Sequence, residues 1–207
     1  MEVKHAYNSW AATYDQDINK TRDLEGKAMR ETLGGFSFKK CLEIGCGTGK
    51  NTGWLAEKSV HLTAVDFSEE MIAKAKEKNQ DNTVEFIHSD ILQPWNFGTN
   101  QFDLVAFSLV LEHIQNLDHI FEEASNSLQS GGYLYVGELH PYKQYSGSKA
   151  RFESTAGLQV IECYTHDISS FIDAALKQNL KLVTLAEYKD DENEDTIPRI
   201  LAILFQK

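Results

Sequence analysis

Three glycines at alternate positions, Gly45-Cys46-Gly47-Thr48-Gly49, cut off a short apolar run, Lys40-Cys41-Leu42-Glu43-Ile44. Residues 50–58 then read as a helix. A strand, a glycine turn and a helix in that order form a nucleotide-binding loop at the edge of an α/β sheet. Glycine serves there because the chain turns sharply and a ligand must reach backbone with no Cβ in the way. The spacing is Gly-x-Gly-x-Gly, and Lys50 stands where a dinucleotide fingerprint carries its last glycine. Glu43, two residues before the first glycine, is expected at the mouth of the site. A carboxylate there repels a pyrophosphate and attracts an ammonium or a sulfonium.

The later segments extend the alternation. Residues 60–65 read as a second strand closing in Asp66, which lies 21 positions after Gly45. That is near the spacing at which such folds place an acid on ribose hydroxyls, and a carboxylate can accept from two vicinal hydroxyls. Ser68 has the look of a helix N-cap, with Glu69 and Glu70 in the first turn and lysines later. Residues 83–88 form a third strand ending at Ser89-Asp90-Ile91. The almost continuously apolar Phe102-Asp103-Leu104-Val105-Ala106-Phe107-Ser108 suits a central parallel strand. Residues 117–128 make an amphipathic helix stopped by Ser130-Gly131-Gly132, and residues 132–138 a fifth strand. Residues 180–188 and 198–205 supply two more.

These motifs resemble those of the class I S-adenosylmethionine-dependent methyltransferases of small-molecule type, whose first motif has an acid followed by such glycines. The resemblance is specific over about residues 42–138. It implies an α/β, Rossmann-like seven-stranded sheet, mostly parallel with the last strand antiparallel, helices on both faces and a small β-hairpin or lid after strand five. It implies one methyltransferase domain over 1–207: an N-terminal helical cap (1–35), a cofactor-binding core (36–139), an acceptor-site insertion (140–165) and a C-terminal helix with two strands (166–207). The implied cofactor is S-adenosyl-L-methionine, with S-adenosyl-L-homocysteine as product. Its contacts are expected from Glu43, Gly45, Cys46, Gly47 and Gly49 in the loop. Asp66, with Phe67 and Met71, takes the ribose and adenine, and Asp90 and Ile91 the adenine edge. Tyr14 and Ser108 lie toward the methionyl end.

Residues 1–35 are expected to be helical, with Tyr7, Trp10, Ala11 and Tyr14 on one face. His140, at the end of strand five, is the expected base, and His113 a candidate contact with the acceptor. The stretch 140–152 gathers aromatics and the cations Lys143, Lys149 and Arg151, which fits an anionic or aromatic small-molecule acceptor. A protein methyltransferase and a non-catalytic S-adenosylmethionine-binding protein are the alternatives. A nicotinamide dehydrogenase is disfavoured by Lys50 and Glu43.

The chain has 207 residues and a formal net charge of −11, which opposes non-specific binding of nucleic acid. No apolar run approaches the roughly 20 residues that cross a membrane. Three cysteines without a Cys-x-x-Cys pair argue against a disulfide framework or zinc knuckle. The expectation is therefore a cytoplasmic monomer or homodimer that holds no metal.

Overall fold

The structure, a computed structural model, describes residues 3–16, 19–80, 82–154, 157–190 and 196–207, with backbone alone at 152–154 and 158. Among them, seven strands form one sheet in the order β3-β2-β1-β4-β5-β9-β8. These are β1 (Phe38–Ile44), β2 (Ser59–Asp66), β3 (Val84–His88), β4 (Phe102–Ser108), β5 (Leu128–Leu139), β8 (Lys181–Tyr188) and β9 (Ile200–Gln206). Neighbours among β1 to β5 pair in parallel, while β9 is antiparallel to both β5 and β8. The expected Rossmann-like sheet with an antiparallel last strand is therefore present.

The helices follow from local chemistry. The first glycine loop leads into α3 (Thr52–Lys58), and Ser68 caps α4 (Glu69–Lys78) by accepting from the Met71 N–H at 3.1 Å. The next helix, α5 (Leu117–Ser127), ends before the glycines expected to stop it, because β5 begins at Leu128. Residues 1–35 divide into α1 (Val3–Trp10) and α2 (Lys20–Leu33). The division has a cause: the Asn19 side chain accepts from the N–H groups of Thr21 and Arg22, at 3.0 and 3.1 Å, and so starts a new helix.

Alternation along β4 feeds two cores, one on each face of the sheet. Val105 and Phe107 join the cluster under α5 and α7 (Ile168–Lys177), and Leu104 and Ala106 join the cluster under α2 and α3. After β5 the chain forms the short α6 (Pro141–Tyr145) and an antiparallel pair, β6 (Arg151–Ser154) and β7 (Gly157–Val160). Ala156, in the expected hairpin turn, and residues 191–195, in the expected acidic loop, lie outside the described residues. The order in which successive strands are added reverses between the parallel neighbours β1 and β4, and such a switch point leaves a crevice outside the carboxyl ends of the strands.

Candidate functional site

That crevice holds a cavity of about 430 Å³. Its floor is made by the ends of four neighbouring strands: Gly45 and Gly47 after β1, Asp66 at the end of β2, Ser89 and Asp90 after β3, and Ser108 at the end of β4. The loop glycines have φ values of +72°, +53° and +80° at Gly45, Gly47 and Gly49. A Cβ at Gly45 would meet Val110 Cγ2 at 2.2 Å, and one at Gly49 would meet Asn79 Nδ2 at 2.4 Å. At Gly47 a Cβ would meet nothing within 4 Å. Two of the glycines are thus needed for packing, while Gly47 lines the cavity and leaves room for a ligand against its backbone.

Asp66 is 6% exposed. Its Oδ2 accepts from the Gly47 N–H at 2.8 Å and its Oδ1 from the Ser68 N–H at 2.9 Å. Burial pushes its carboxyl up, and the two amide donors oppose that. Each oxygen keeps a further lone pair for a hydroxyl. Beside it, Phe67 and Met71 form an apolar wall that faces Asp90, Ile91 and Leu92. Asp90 Oδ1 accepts from the Leu92 N–H at 3.0 Å, which fixes that turn.

Across the crevice the backbone is strained. Leu109, on the cavity wall, has φ +57°, a conformation that costs a bulky residue about 1–3 kcal/mol. The Leu109 N–H donates to Gly137 O at 2.8 Å. Glu138 Oε1 accepts from the N–H groups of Val110 and Leu111, at 2.9 and 2.8 Å. Together these bonds hold the kink that wraps residues 108–114 around the site.

The roof is α1 and the turn after it. Val3, Lys4, Tyr7 and Tyr14 line the cavity. The Tyr14 ring carries the Arg22 guanidinium 4.1 Å from its centroid, and burial pushes its phenol up to about 12. Asp15 latches this segment to the floor. It accepts from the Thr48 hydroxyl of the glycine loop at 2.7 Å and pairs with Lys78 of α4. At the far end, the Tyr7 hydroxyl lies 2.8 Å from His113 Nε2. His113 Nδ1 faces the Glu162 carbonyl at 3.1 Å, so Nδ1 carries the ring proton and Nε2 accepts from the phenol. Burial raises the Tyr7 phenol well above its ordinary value, which keeps that proton in place.

A family model described as a methyltransferase domain matches residues 42–136, from β1 through most of β5. An uncharacterized methyltransferase of Emericella nidulans is 28% identical over 223 residues, covering 89% of this chain and 78% of the relative. The enzyme is an S-adenosylmethionine-dependent methyltransferase, similar over that match to the class I family. Other relatives of this methyltransferase are longer. The phosphoethanolamine N-methyltransferase 1 of Triticum aestivum is 26% identical, over 66% of this chain but 29% of its own length. The N-methyltransferase NodS of Bradyrhizobium japonicum, solved with S-adenosyl-L-homocysteine, has the same fold. Its TM-score is 0.73 at 19% identity, with 100% and 99% of the two chains covered.

In this methyltransferase the residues expected at the site separate into two groups. Tyr14, Gly45, Gly47, Asp66, Phe67, Met71, Asp90, Ile91, Ser108 and His113 all line the one cavity. Glu43, Cys46, Gly49 and His140 do not line it. Glu43 is a correction to the expected carboxylate at the mouth: it is 3% exposed beneath the loop, accepting from the Thr52 hydroxyl at 2.6 Å. Burial raises its carboxyl to about 8, so at neutral pH it is mainly uncharged. His140, expected as the base, is fully buried. Its Nδ1 accepts from the Tyr142 N–H at 3.2 Å as the cap of α6, and its Nε2 donates to Glu187 Oε1 at 2.8 Å. With both ring nitrogens engaged, it is a structural histidine.

The expected anion-steering cations are elsewhere too. Lys143 faces Asp190 at 3.7 Å, and none of Lys143, Lys149 and Arg151 lines the cavity. From the 140–165 insertion, Glu162 alone among the described residues reaches it. The strand pair props α1 from behind, where Ala6, Trp10 and Ile161 cluster with Ala150. Sequence reading missed Tyr7 as a site residue, although it stood in the aromatic stripe. It also missed Lys4, His88 and Glu162, for which the sequence carries no signal.

Proposed function

We propose that the protein transfers a methyl group from S-adenosyl-L-methionine to a small-molecule acceptor held under α1. The observation that carries this reading is the single cavity that runs from the glycine loop and Asp66 to the Tyr7–His113 pair. The residues suit the cofactor: Gly47 leaves a cradle that a Cβ would fill, Asp66 offers acceptors for vicinal hydroxyls, and the volume of about 430 Å³ lies in the range of small-ligand sites. When bound, the cofactor supplies an electrophilic methyl on a sulfonium, whose departure as a neutral thioether asks for no oxyanion hole.

The protein's share is then orientation and exclusion of water. Asp66 accepts from the ribose hydroxyls. Phe67, Met71 and Ile91 clasp the adenine, with the Asp90 carboxylate at its amine edge. Tyr14 and Ser108 border the amino-acid end. The acceptor lies against Tyr7, Val110, His113 and Ile114. Where it bears a proton that must leave, His113 Nε2 takes it, either directly or by way of the Tyr7 hydroxyl. Lys4 is the one lysine or arginine among the described lining residues, so the wall favours a neutral or cationic acceptor over an anionic one.

Calorimetric titration with S-adenosyl-L-homocysteine tests the cofactor assignment. Tight binding is expected, weakened at least about tenfold by Asp66→Ala. Saturating NAD with no response to the homocysteine derivative would overturn the reading. Methyl release from labelled cofactor onto a small-molecule panel, against a protein lysate, separates the acceptor classes.

A further inference from the structure

Three side chains of different chemistry converge behind the far wall of the cavity. Glu112 and His113 belong to the 3-10 turn Leu111–His113, and Cys163 follows β7 some 50 residues later. One ligand atom from each lies within 4.8 Å of the other two. Cys163 Sγ is 3.9 Å from His113 Nδ1, Glu112 Oε1 is 3.9 Å from the other ring nitrogen, Nε2, and the thiol lies beside the Glu112 carboxylate. Two bonds frame them: the Tyr164 N–H donates to Glu112 O at 2.7 Å, and the His166 side chain donates through Nε2 to Ile114 O at 2.7 Å.

A second observation concerns charge. Glu112 is 7% exposed, and among the described residues it has no lysine or arginine partner; its carboxylate meets His113, Cys163 and, at 3.5 Å, Gln144. Glu138 is 2% exposed and also lacks a cationic partner among those residues. Its Oε2 has no hydrogen-bond partner, and the strongest charge acting on it is that of Glu112. A divalent ion held by Glu112 and the imidazole supplies the positive charge that this buried carboxyl lacks.

We infer that Glu112, His113 and Cys163 form a binding site for a borderline-soft divalent metal ion, of which zinc is the best match. Thiolate, imidazole and carboxylate together are a zinc donor set, and three protein ligands leave a fourth position open. Tetrahedral zinc holds its ligand atoms about 3.3–3.7 Å apart, so binding through one ring nitrogen draws atoms that now lie within 4.8 Å of one another closer by up to about 1–1.5 Å. On binding, the Cys163 S–H bond breaks, a sulfur–metal bond forms and the proton passes to solvent. Coordination through Nε2 displaces the Tyr7 hydroxyl; coordination through Nδ1 displaces the Glu162 carbonyl and moves the ring proton from Nδ1 to Nε2. The site does not depend on methyl transfer, and its test uses the metal alone.

Tag-free protein stripped with chelator is titrated with Zn²⁺ against a chromophoric chelator, and separately with Co²⁺. The expected result is one equivalent bound with proton release, and a thiolate-to-cobalt absorption band in the near ultraviolet. Cys163→Ser removes the band, and both it and Glu112→Gln weaken uptake at least about tenfold, while thermal stabilisation by S-adenosyl-L-homocysteine shows each variant to be folded. No stoichiometric uptake by the folded wild type overturns the inference. So does uptake that is unchanged in whichever of the two variants folds.

Discussion

Gly47 combines a φ of +53° with an open face toward the cavity, so its substitution acts in two ways at once. Gly47→Ala is expected to cost about 1 kcal/mol of stability or more, because an L side chain is strained there. It should also weaken S-adenosyl-L-homocysteine binding at least about tenfold, about 1.4 kcal/mol, because the methyl enters the cradle. Calorimetry and a urea melt separate the two effects. His140→Gln is the opposite case. It should destabilise the fold by about 1–2 kcal/mol through the lost cap and the bond to Glu187, and leave cofactor affinity within about twofold. A large affinity loss without loss of stability would return His140 to the site. The contrast shows what was legible at this scale. Glycine spacing and a strand-end aspartate announce their roles because backbone conformation and topology fix them. Depth does not announce itself: Glu43 occupies a position that suits a cofactor contact and His140 one that suits a base, and only tertiary packing buries them.

The element that a linear reading renders worst is α1. Its aromatic stripe identified a packing face, but periodicity says which residues share a face and not what covers them. Tyr7 meets His113 across 106 positions, and Asp15 meets Thr48 across 33. The central strand β4, by contrast, was legible as an apolar run because a parallel strand covered on both faces has no polar side. If the Asp15 bonds hold α1 over the cavity, Asp15→Ala should speed dissociation of S-adenosyl-L-homocysteine several-fold in stopped-flow fluorescence. Part of the effect should survive moderate salt, which screens the half-exposed pair with Lys78 but not the Thr48 hydroxyl bond. An unchanged off-rate would mean that packing of Ala6, Trp10 and Ile161 suffices.

Across the molecule, several acids lie inside: Glu25, Glu43, Asp66, Glu112 and Glu138 are each under 9% exposed. Burial raises the carboxyls of Glu43 and Glu138 from about 4.5 to about 8. Between those values the folded state binds more protons than the unfolded one, so stability falls as pH rises through this window. Urea midpoints measured from pH 5 to pH 8 should therefore decline. Glu43→Gln, whose amide oxygen still accepts from Thr52, should flatten the decline. A midpoint that rises steadily with pH would show these groups ionised in the fold.

The position of α1 also bears on how the chain is made. Val3 to Trp10 leave the ribosome before the residues they pack on, Phe67, His113 and Ile161, which are synthesised 60 to 150 residues later. At about 5–20 residues per second, that is several seconds or more with an amphipathic segment unsheltered. The cradle for the nucleoside can assemble from β1 to β4 during that wait, so a nascent chain would meet its ligand before it has a roof.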